Sequence, residues 1–260
     1  MSKGIAVVFL VAGLACAPYA RAQEADEGWE ADRPDFGEGT GTVAVGHFVI
    51  EAGATAIRLG EEKSLTIGEI LLRAGLGSHV EARIGGGTFN RIDTGLRGES
   101  ALSGLSDLSV GLKWRILDGE EGTARPDVAL VVDEGLPIGG EEVGERAWET
   151  EAVLAVHWEL SDRWAVGANL LAGRPKEDGE RFTQTAWSLI AEASLNEKTG
   201  AFVEVYGFNK EEGDGSSTQY ANAGITYRLA KDLQVDARVG AGFSDPHPNW
   251  FFGVGAAIHF

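Results

Sequence analysis

Cysteine is almost missing from this chain: its 260 residues include one cysteine, Cys16, and one methionine, Met1. Both fall in a leader-like segment. Lys3 gives it a positive start, Gly4 to Ala15 is a nearly unbroken apolar run, and Ala20-Arg21-Ala22 makes a small-x-small cleavage pattern ahead of Gln23. Residues 1–22 therefore read as a signal peptide. The run falls short of the ~20 residues that a spanning helix needs. A lipoprotein reading through Cys16 is disfavoured, because Gly13-Leu14-Ala15 opens on a glycine. Cleavage after Ala22 leaves no thiol, which excludes a disulfide framework, a thiolate nucleophile and any cysteine metal site.

Basic residues are also scarce. Cleavage removes Lys3 and Arg21, so 20 of the 22 basic residues face all 40 acidic ones, a net charge near −20. Such a chain lacks the basic stripe that a phosphate backbone requires, and no nucleic-acid partner is expected. Past the leader, no apolar stretch reaches 18 residues and no long 3.6-residue period occurs. That excludes a membrane helix and the α/β folds. It does not exclude a barrel, whose strands alternate apolar and polar side chains and keep average hydropathy near zero, as here.

What the chain does have is glycine (37 residues) and a two-residue alternation. Residues 23–42 are acidic, poor in apolar side chains and interrupted by Pro34. They read as an N-terminal periplasmic arm or a plug within a lumen. From residue 43 to 260 the chain is strand, turn, strand. Leu108, Val110, Leu112, Trp114 and Ile116 share one face, while Asp107, Ser109, Gly111, Lys113 and Arg115 share the other. Trp250, Phe252, Val254, Ala256, Ile258 and Phe260 alternate in the same way with Gly253, Gly255, Ala257 and His259. A cation on a lipid-facing wall costs ~2–4 kcal/mol near the midplane, so the face with Lys113 and Arg115 is the inner one.

Twelve such segments begin near residues 43, 65, 78, 104, 126, 149, 163, 184, 199, 219, 232 and 250. Tight turns at 75–78, 161–162, 196–198 and 230–231 alternate with longer charged connections at 57–64, 90–103, 137–148, 173–182, 209–218 and 244–249. The turn at 117–125 is longer than its peers. Short inner turns, long outer loops and ~10-residue strands predict an all-β fold, an up-and-down antiparallel transmembrane β-barrel with both termini in the periplasm. The expected location is a Gram-negative outer membrane. A last strand ending on Phe260 suits recognition by the barrel-insertion machinery, and it argues against a soluble sandwich or lipocalin-like barrel.

Asp32-Arg33-Pro34-Asp35-Phe36-Gly37-Glu38-Gly39, followed by Gly46-His47-Phe48-Val49-Ile50-Glu51-Ala52-Gly53, resembles a family of bacterial outer-membrane transporters associated with the meta-cleavage pathway of phenol degradation. Leu71-Leu72-Arg73-Ala74-Gly75-Leu76, Val80-Glu81-Ala82-Arg83-Ile84-Gly85, Gly104-Leu105-Ser106-Asp107 through Gly111-Leu112-Lys113, and Leu136-Pro137-Ile138-Gly139 extend the likeness over the whole mature chain. Ile138 stands where the family more often has a small hydroxylated residue. The resemblance implies an association with aromatic compounds and carries over no functional residues.

Catalytic signals are weak. The histidines (His47, His79, His157, His247 and His259) are too far apart in sequence to suggest a zinc pair. His47 and Glu51, expected on one strand face, stand ~13 Å apart at ~3.3 Å per residue. An outer-membrane phospholipase also has about twelve strands, but its chemistry needs a serine and a histidine exposed together to lipid, and no strand here puts a histidine on its apolar face. Gly85-Gly86-Gly87 lacks a following helix and lysine, and no Gly-x-Ser-x-Gly elbow occurs. No enzymatic activity, catalytic residue, metal or cofactor is expected.

The inner faces are better candidates. Glu51, Glu81, Arg83, Asp107, Lys113, Arg115, Glu151, His157, Glu159, Glu192, Arg228, Asp236 and Arg238 should line the lumen. Twelve strands fall between the eight that side chains fill and the 16–18 that leave an open channel, so a narrow path gated by side chains or by the arm is expected. Acidic loops bearing Glu141, Glu142, Glu145, Glu177, Asp178, Glu180, Glu211, Glu212 and Asp214 predict a mild preference for cations or neutral solutes. Trp114, Trp158, Trp164, Tyr227 and Trp250 should form interfacial girdles. The leading expectation is passive passage of small solutes, aromatic or hydrophobic compounds among them. A closed structural or surface-binding barrel is the alternative, and a lipid-modifying enzyme a distant third. Expected partners are outer-membrane lipid and lipopolysaccharide, the insertion machinery and the solutes.

Overall fold

The computed structural model describes residues 29–96, 98, 100–177, 179–244 and 249–260. The expected signal peptide, the start of the arm, Asp178 and His247 lie outside the described residues. Among the described residues, twelve long strands close on themselves, each antiparallel to both neighbours. We number them β1 (Phe48–Leu59), β2 (Glu62–Gly77), β3 (Val80–Gly86, resuming as Phe89–Asp93), β4 (Leu102–Leu105, resuming as Leu108–Leu117), β5 (Asp127–Leu136) and β6 (Glu149–Ser161). The second half is β7 (Trp164–Gly173), β8 (Gln184–Asn196), β9 (Thr199–Phe208), β10 (Thr218–Ala230), β11 (Leu233–Gly242) and β12 (Asn249–His259). Pairing runs in chain order, and β1 lies against β12 with Ala52 opposite Ala256 and Gly53 opposite Gly255. The seam is finished by Phe48 and Phe260, which exchange backbone hydrogen bonds of 3.2 and 2.9 Å.

The alternation decides which side of the wall meets lipid. Lys113 is 0% exposed, whereas its neighbours Leu112 and Trp114 are 51% and 52% exposed. A protein folded around an apolar core would reverse those values. Here most of the large apolar side chains point outward, while Arg73, Glu51, Glu81 and Lys113 are sealed inside together with a few apolar residues such as Phe202 and Phe251. The outer surface is therefore a lipid-facing belt. Trp158, Trp114, Trp164 and Tyr227 mark one rim, and Trp250, Trp148 and Trp187 the other.

The two rims differ as a transmembrane barrel requires. Residues 78–79, 162–163, 197–198 and 231–232 make two-residue turns at the end that holds Trp29 and Phe260, where 118–126 is the one longer connection among the described residues. At the opposite, outer end the connections span 94–101, 137–148, 174–183, 209–217 and 243–248, with a short hairpin of Lys176–Glu177 and Glu180–Arg181 inside the third.

Three local expectations are corrected. The stretch 57–64 is not a long loop. β1 and β2 run through it to a two-residue turn at Gly60 and Glu61, because charged residues can continue a strand once it leaves the apolar belt. The first strand starts at Phe48 rather than near residue 43, since residues 43–47 still belong to the arm. His47 accordingly precedes the strand instead of sharing a face with Glu51, and His79 sits in the turn before β3.

Candidate functional site in the barrel lumen

The lumen is occupied. Residues 29–47 enter from the periplasmic end, rise among the wall's charged side chains and return to the same end. Trp29 starts this path by donating its indole N–H to the Lys231 carbonyl at 2.9 Å, and its ring stacks on His259 at 5.5 Å between centroids. At the far end Val45 bridges to Gly75, and His47 stacks on His259 at 4.9 Å. The barrel seam thus unites two histidines that lie 212 positions apart. Among the described residues, no group of histidine and carboxylate side chains has the arrangement of a metal site.

One wall, β1 to β4, carries a cluster of buried charge. Arg73, Glu51, Glu81 and Lys113 are all 1% exposed or less. Asp32 of the arm sits among the cations, with Lys113 Nζ at 2.6 Å, Arg83 Nη1 at 2.8 Å and Arg73 Nε at 3.3 Å. Burial alone would favour the neutral carboxyl, but Arg73, Lys113 and Arg83 outweigh it and hold Asp32 far below the usual carboxylate range. Glu38 extends the cluster, taking Arg83 Nη2 at 2.7 Å. Arg73 in turn bonds Glu81 at 2.8 Å and Glu51 at 3.1 Å. Such a network is cheap only when every charge is answered, which the arm and the wall accomplish together.

The wall also answers the arm's backbone, which has no ladder of its own. Glu51 accepts the amides of Asp32 and Arg33 at 3.0 and 2.9 Å, and Glu204 those of Phe36 and Gly37 at 2.9 and 3.1 Å. Asn169 accepts the Glu38 amide, and Glu81 that of Val43. In the other direction Arg73 donates to the carbonyls of Glu30 and Gly41, Arg228 to Trp29, and Arg238 to Pro34.

Arg33 forms the second ionic anchor, to Glu69 at 2.8 Å and Asp236 at 3.3 Å. Its guanidinium lies against Gly53 of β1 and Gly255 of β12, where any Cβ would collide with it. Glu69 reaches it from a bulge in β2, in which Gly68 and Glu69 take φ values of 112° and 40°. A non-glycine residue at that φ is uncommon and marks a position whose direction matters.

Most of the expected lumen residues converge here. Glu51, Glu81, Arg83, Lys113, Asp236, Arg228 and Arg238 all touch the arm, as described. Arg115 faces inward lower down and pairs with Asp118 and Asp127 near the periplasmic rim. His157 bonds Glu192 at 2.9 Å, and with Glu159 they line the periplasmic vestibule. Glu151 lines the outer side of the arm. Asp107 is different: it lies in the break within β4 and accepts the backbone amides of Gly139 and Arg146, so it organises an outer loop. Sequence reasoning missed Arg73, Glu69, Glu204 and Asn169. Each has apolar or small neighbours on both sides, and the alternation alone was the available signal.

The arm divides the remaining space. On the periplasmic side lie cavities of about 620 and 580 Å³. On the outer side lie cavities of about 270 and 180 Å³, the smaller one between Phe36 and Phe208, Leu171, Val153 and Ala186. Phe36 stacks on Tyr206 at 4.2 Å, and Tyr206 on Tyr220 at 5.0 Å. Pro34 and Asp35 border both the 270 Å³ cavity and the 620 Å³ one, which makes them the divide between the two sides.

Solved structures share this architecture. An outer-membrane channel from Pseudomonas putida F1 superposes with a TM-score of 0.69 at 14% identity, covering 89% of this chain and 100% of that one. The NanC porin gives 0.57 at 9% identity, covering 80% of this chain and 98% of its own. The KdgM porin, in complex with disordered oligogalacturonate, gives 0.54 at 9% identity, covering 82% and 99%. At these identities the likeness is one of fold. No curated protein matches the chain in sequence. A family model does match it over residues 31–260, from the arm to the last strand, and the chain therefore belongs to the family described as "Putative MetA-pathway of phenol degradation".

Proposed function

We propose that this protein is a passive outer-membrane channel for small solutes, aromatic compounds among them, and that residues 23–42 act as its plug. The arm's position carries the reading: it lies between cavities open to opposite ends of the barrel, and Pro34 and Asp35 border both. The acidic outer loops, with Glu141, Glu142, Glu211 and Glu212 among their residues, support passage of cations and neutral solutes over anions. The stack of Phe36, Tyr206 and Tyr220 beside the outer cavities supports an aromatic solute, because ring faces favour offset or edge contact with another ring. The Pseudomonas putida outer-membrane channel and the NanC porin, which share the fold, agree with this reading.

The deciding experiment is single-channel conductance of the refolded protein in planar bilayers, with and without residues 23–40. Discrete steps that enlarge after truncation support a plugged channel. Silence from both forms, with folded insertion verified, supports the second reading, a closed barrel, which the fully buried network of Arg73, Glu51, Glu81 and Lys113 favours. The mature protein begins at Gln23 in this proposal, which N-terminal sequencing of the membrane form tests. Its last strand, ending in Phe260, addresses it to the insertion machinery, and removing Phe260 should lower the inserted yield. No enzymatic step is assigned, and fatty-acid release from phospholipid vesicles by the purified protein would overturn that.

A further inference from the structure

Five of the lumen's cations are answered by carboxylates, and Arg228 and Arg238 donate to carbonyls of the arm. Arg33, Arg73, Arg83, Lys113 and Arg115 each form ion pairs. Among the cations outside the lumen, three without such a partner cluster on the barrel wall. Arg58 on β1, Lys63 on β2 and Arg91 on β3 occupy the outward faces of three adjacent strands, and pairing sets Lys63 between Arg58 and Asp93 and Arg91 beside Leu65. All three are exposed, and none forms an ion pair among the described residues. Arg58 spends only its Nε, on the Gly60 carbonyl at 3.1 Å. Together they border one concavity of about 390 Å³, whose floor is Ala56, Leu65 and Trp250. The acid in that concavity, Asp93, accepts the backbone amide of Gly95 at 3.1 Å.

Height in the membrane gives the cluster its meaning. Arg58 stands directly opposite Trp250, in the aromatic band of the outer rim, so the three cations lie where the outer leaflet's headgroups begin. They are a local excess of positive charge on a chain with nearly twice as many acidic as basic residues. A clustered exception of this kind, facing lipid instead of the lumen or the loops, calls for an anion that resides in the leaflet.

We propose that Arg58, Lys63 and Arg91 form a binding site for a phosphorylated glycolipid of the outer leaflet, of the lipid A type. Two guanidinium forks and one ammonium match phosphate oxygens by charge-assisted, partly bidentate hydrogen bonds. Ala56 and Leu65 continue downward into the apolar belt, where acyl chains would lie beside Trp250. The site is independent of whether the lumen conducts.

The test is native mass spectrometry of the folded, detergent-solubilised protein, titrated with bis-phosphorylated lipid A, dephosphorylated lipid A, phosphatidylglycerol and inorganic phosphate. The expected result is retention of the bis-phosphorylated form about tenfold or more above the dephosphorylated one, a margin that R58Q/K63Q/R91Q removes. Equal retention of the two lipid A forms by the unaltered protein overturns the proposal without reliance on any variant. Competition by phosphatidylglycerol or inorganic phosphate at equal concentration also overturns it, since that would show a general anion patch.

Discussion

Replacing Asp32 by alanine should release the arm. In the docked state its carboxylate is shared by Lys113, Arg83 and Arg73 at 2.6, 2.8 and 3.3 Å. In a released arm it would be hydrated, so the substitution penalises the docked state alone. Removing one partner from a buried ionic cluster costs about 3–5 kcal/mol, because the charges left behind stay desolvated. At ~1.4 kcal/mol per decade, the balance should move toward the released arm by a factor on the order of 10²–10³. The assay is single-channel recording, read as the fraction of time spent at the highest conductance level. Asp214→Ala, in an outer loop, makes the same change of charge away from the cluster and should gate as the unaltered protein does. If Asp32→Ala inserts as a folded barrel and still gates like the unaltered protein, the ionic latch is refuted, whatever the arm's position.

Other consequences test separate parts of the structure. Gly255→Leu leaves every charge in place but fills the space under Arg33, so residues 29–40 should gain protease sensitivity in the folded barrel; unchanged cleavage would count against the seat formed by Gly53 and Gly255. Phe36→Ala removes the stack on Tyr206, worth about 1 kcal/mol, and should change the flux of a phenol into proteoliposomes several-fold while leaving glycine flux nearly unaltered. At the periplasmic rim, the His79 hydrogen bond and then Arg115 hold the Asp118 carboxyl below its ordinary value. A depressed folded-state value means the contact contributes above the unfolded value of ~3.9 and is lost as pH falls through the lower one. An NMR titration should find the Asp118 midpoint below that value, and His79→Ala should raise it.

Much of the wall was legible because lipid imposes a strict rule on one face of each strand. Lys113 between Leu112 and Trp114 announces its own direction, and the repetition of such triplets yields twelve strands. Charge at strand ends misled the reading at 57–64, where Arg58 and Lys63 suggested a loop: beyond the belt the membrane no longer selects against charge, so the ladder continues. Arg73 and Glu204 obey the alternation but were passed over among apolar neighbours. What no local pattern carries is the meeting of distant segments. His47 meets His259 only through the seam, and Asp32 meets Arg73, Arg83 and Lys113 only because the arm folds into the lumen.

The arm's two ends have a consequence for assembly. Trp29 is fastened to the turn at Lys231 and Val45 to Gly75, both at the periplasmic rim, so the intervening residues form a re-entrant loop with no end passing through the barrel. Among the described residues nothing is threaded. The wall can seal between Phe48 and Phe260 before the loop goes in, and the loop can leave again without parting a single strand pair. Docking is thus reversible by topology, and the ionic contacts at its tip, rather than any covalent obstacle, set how often it happens.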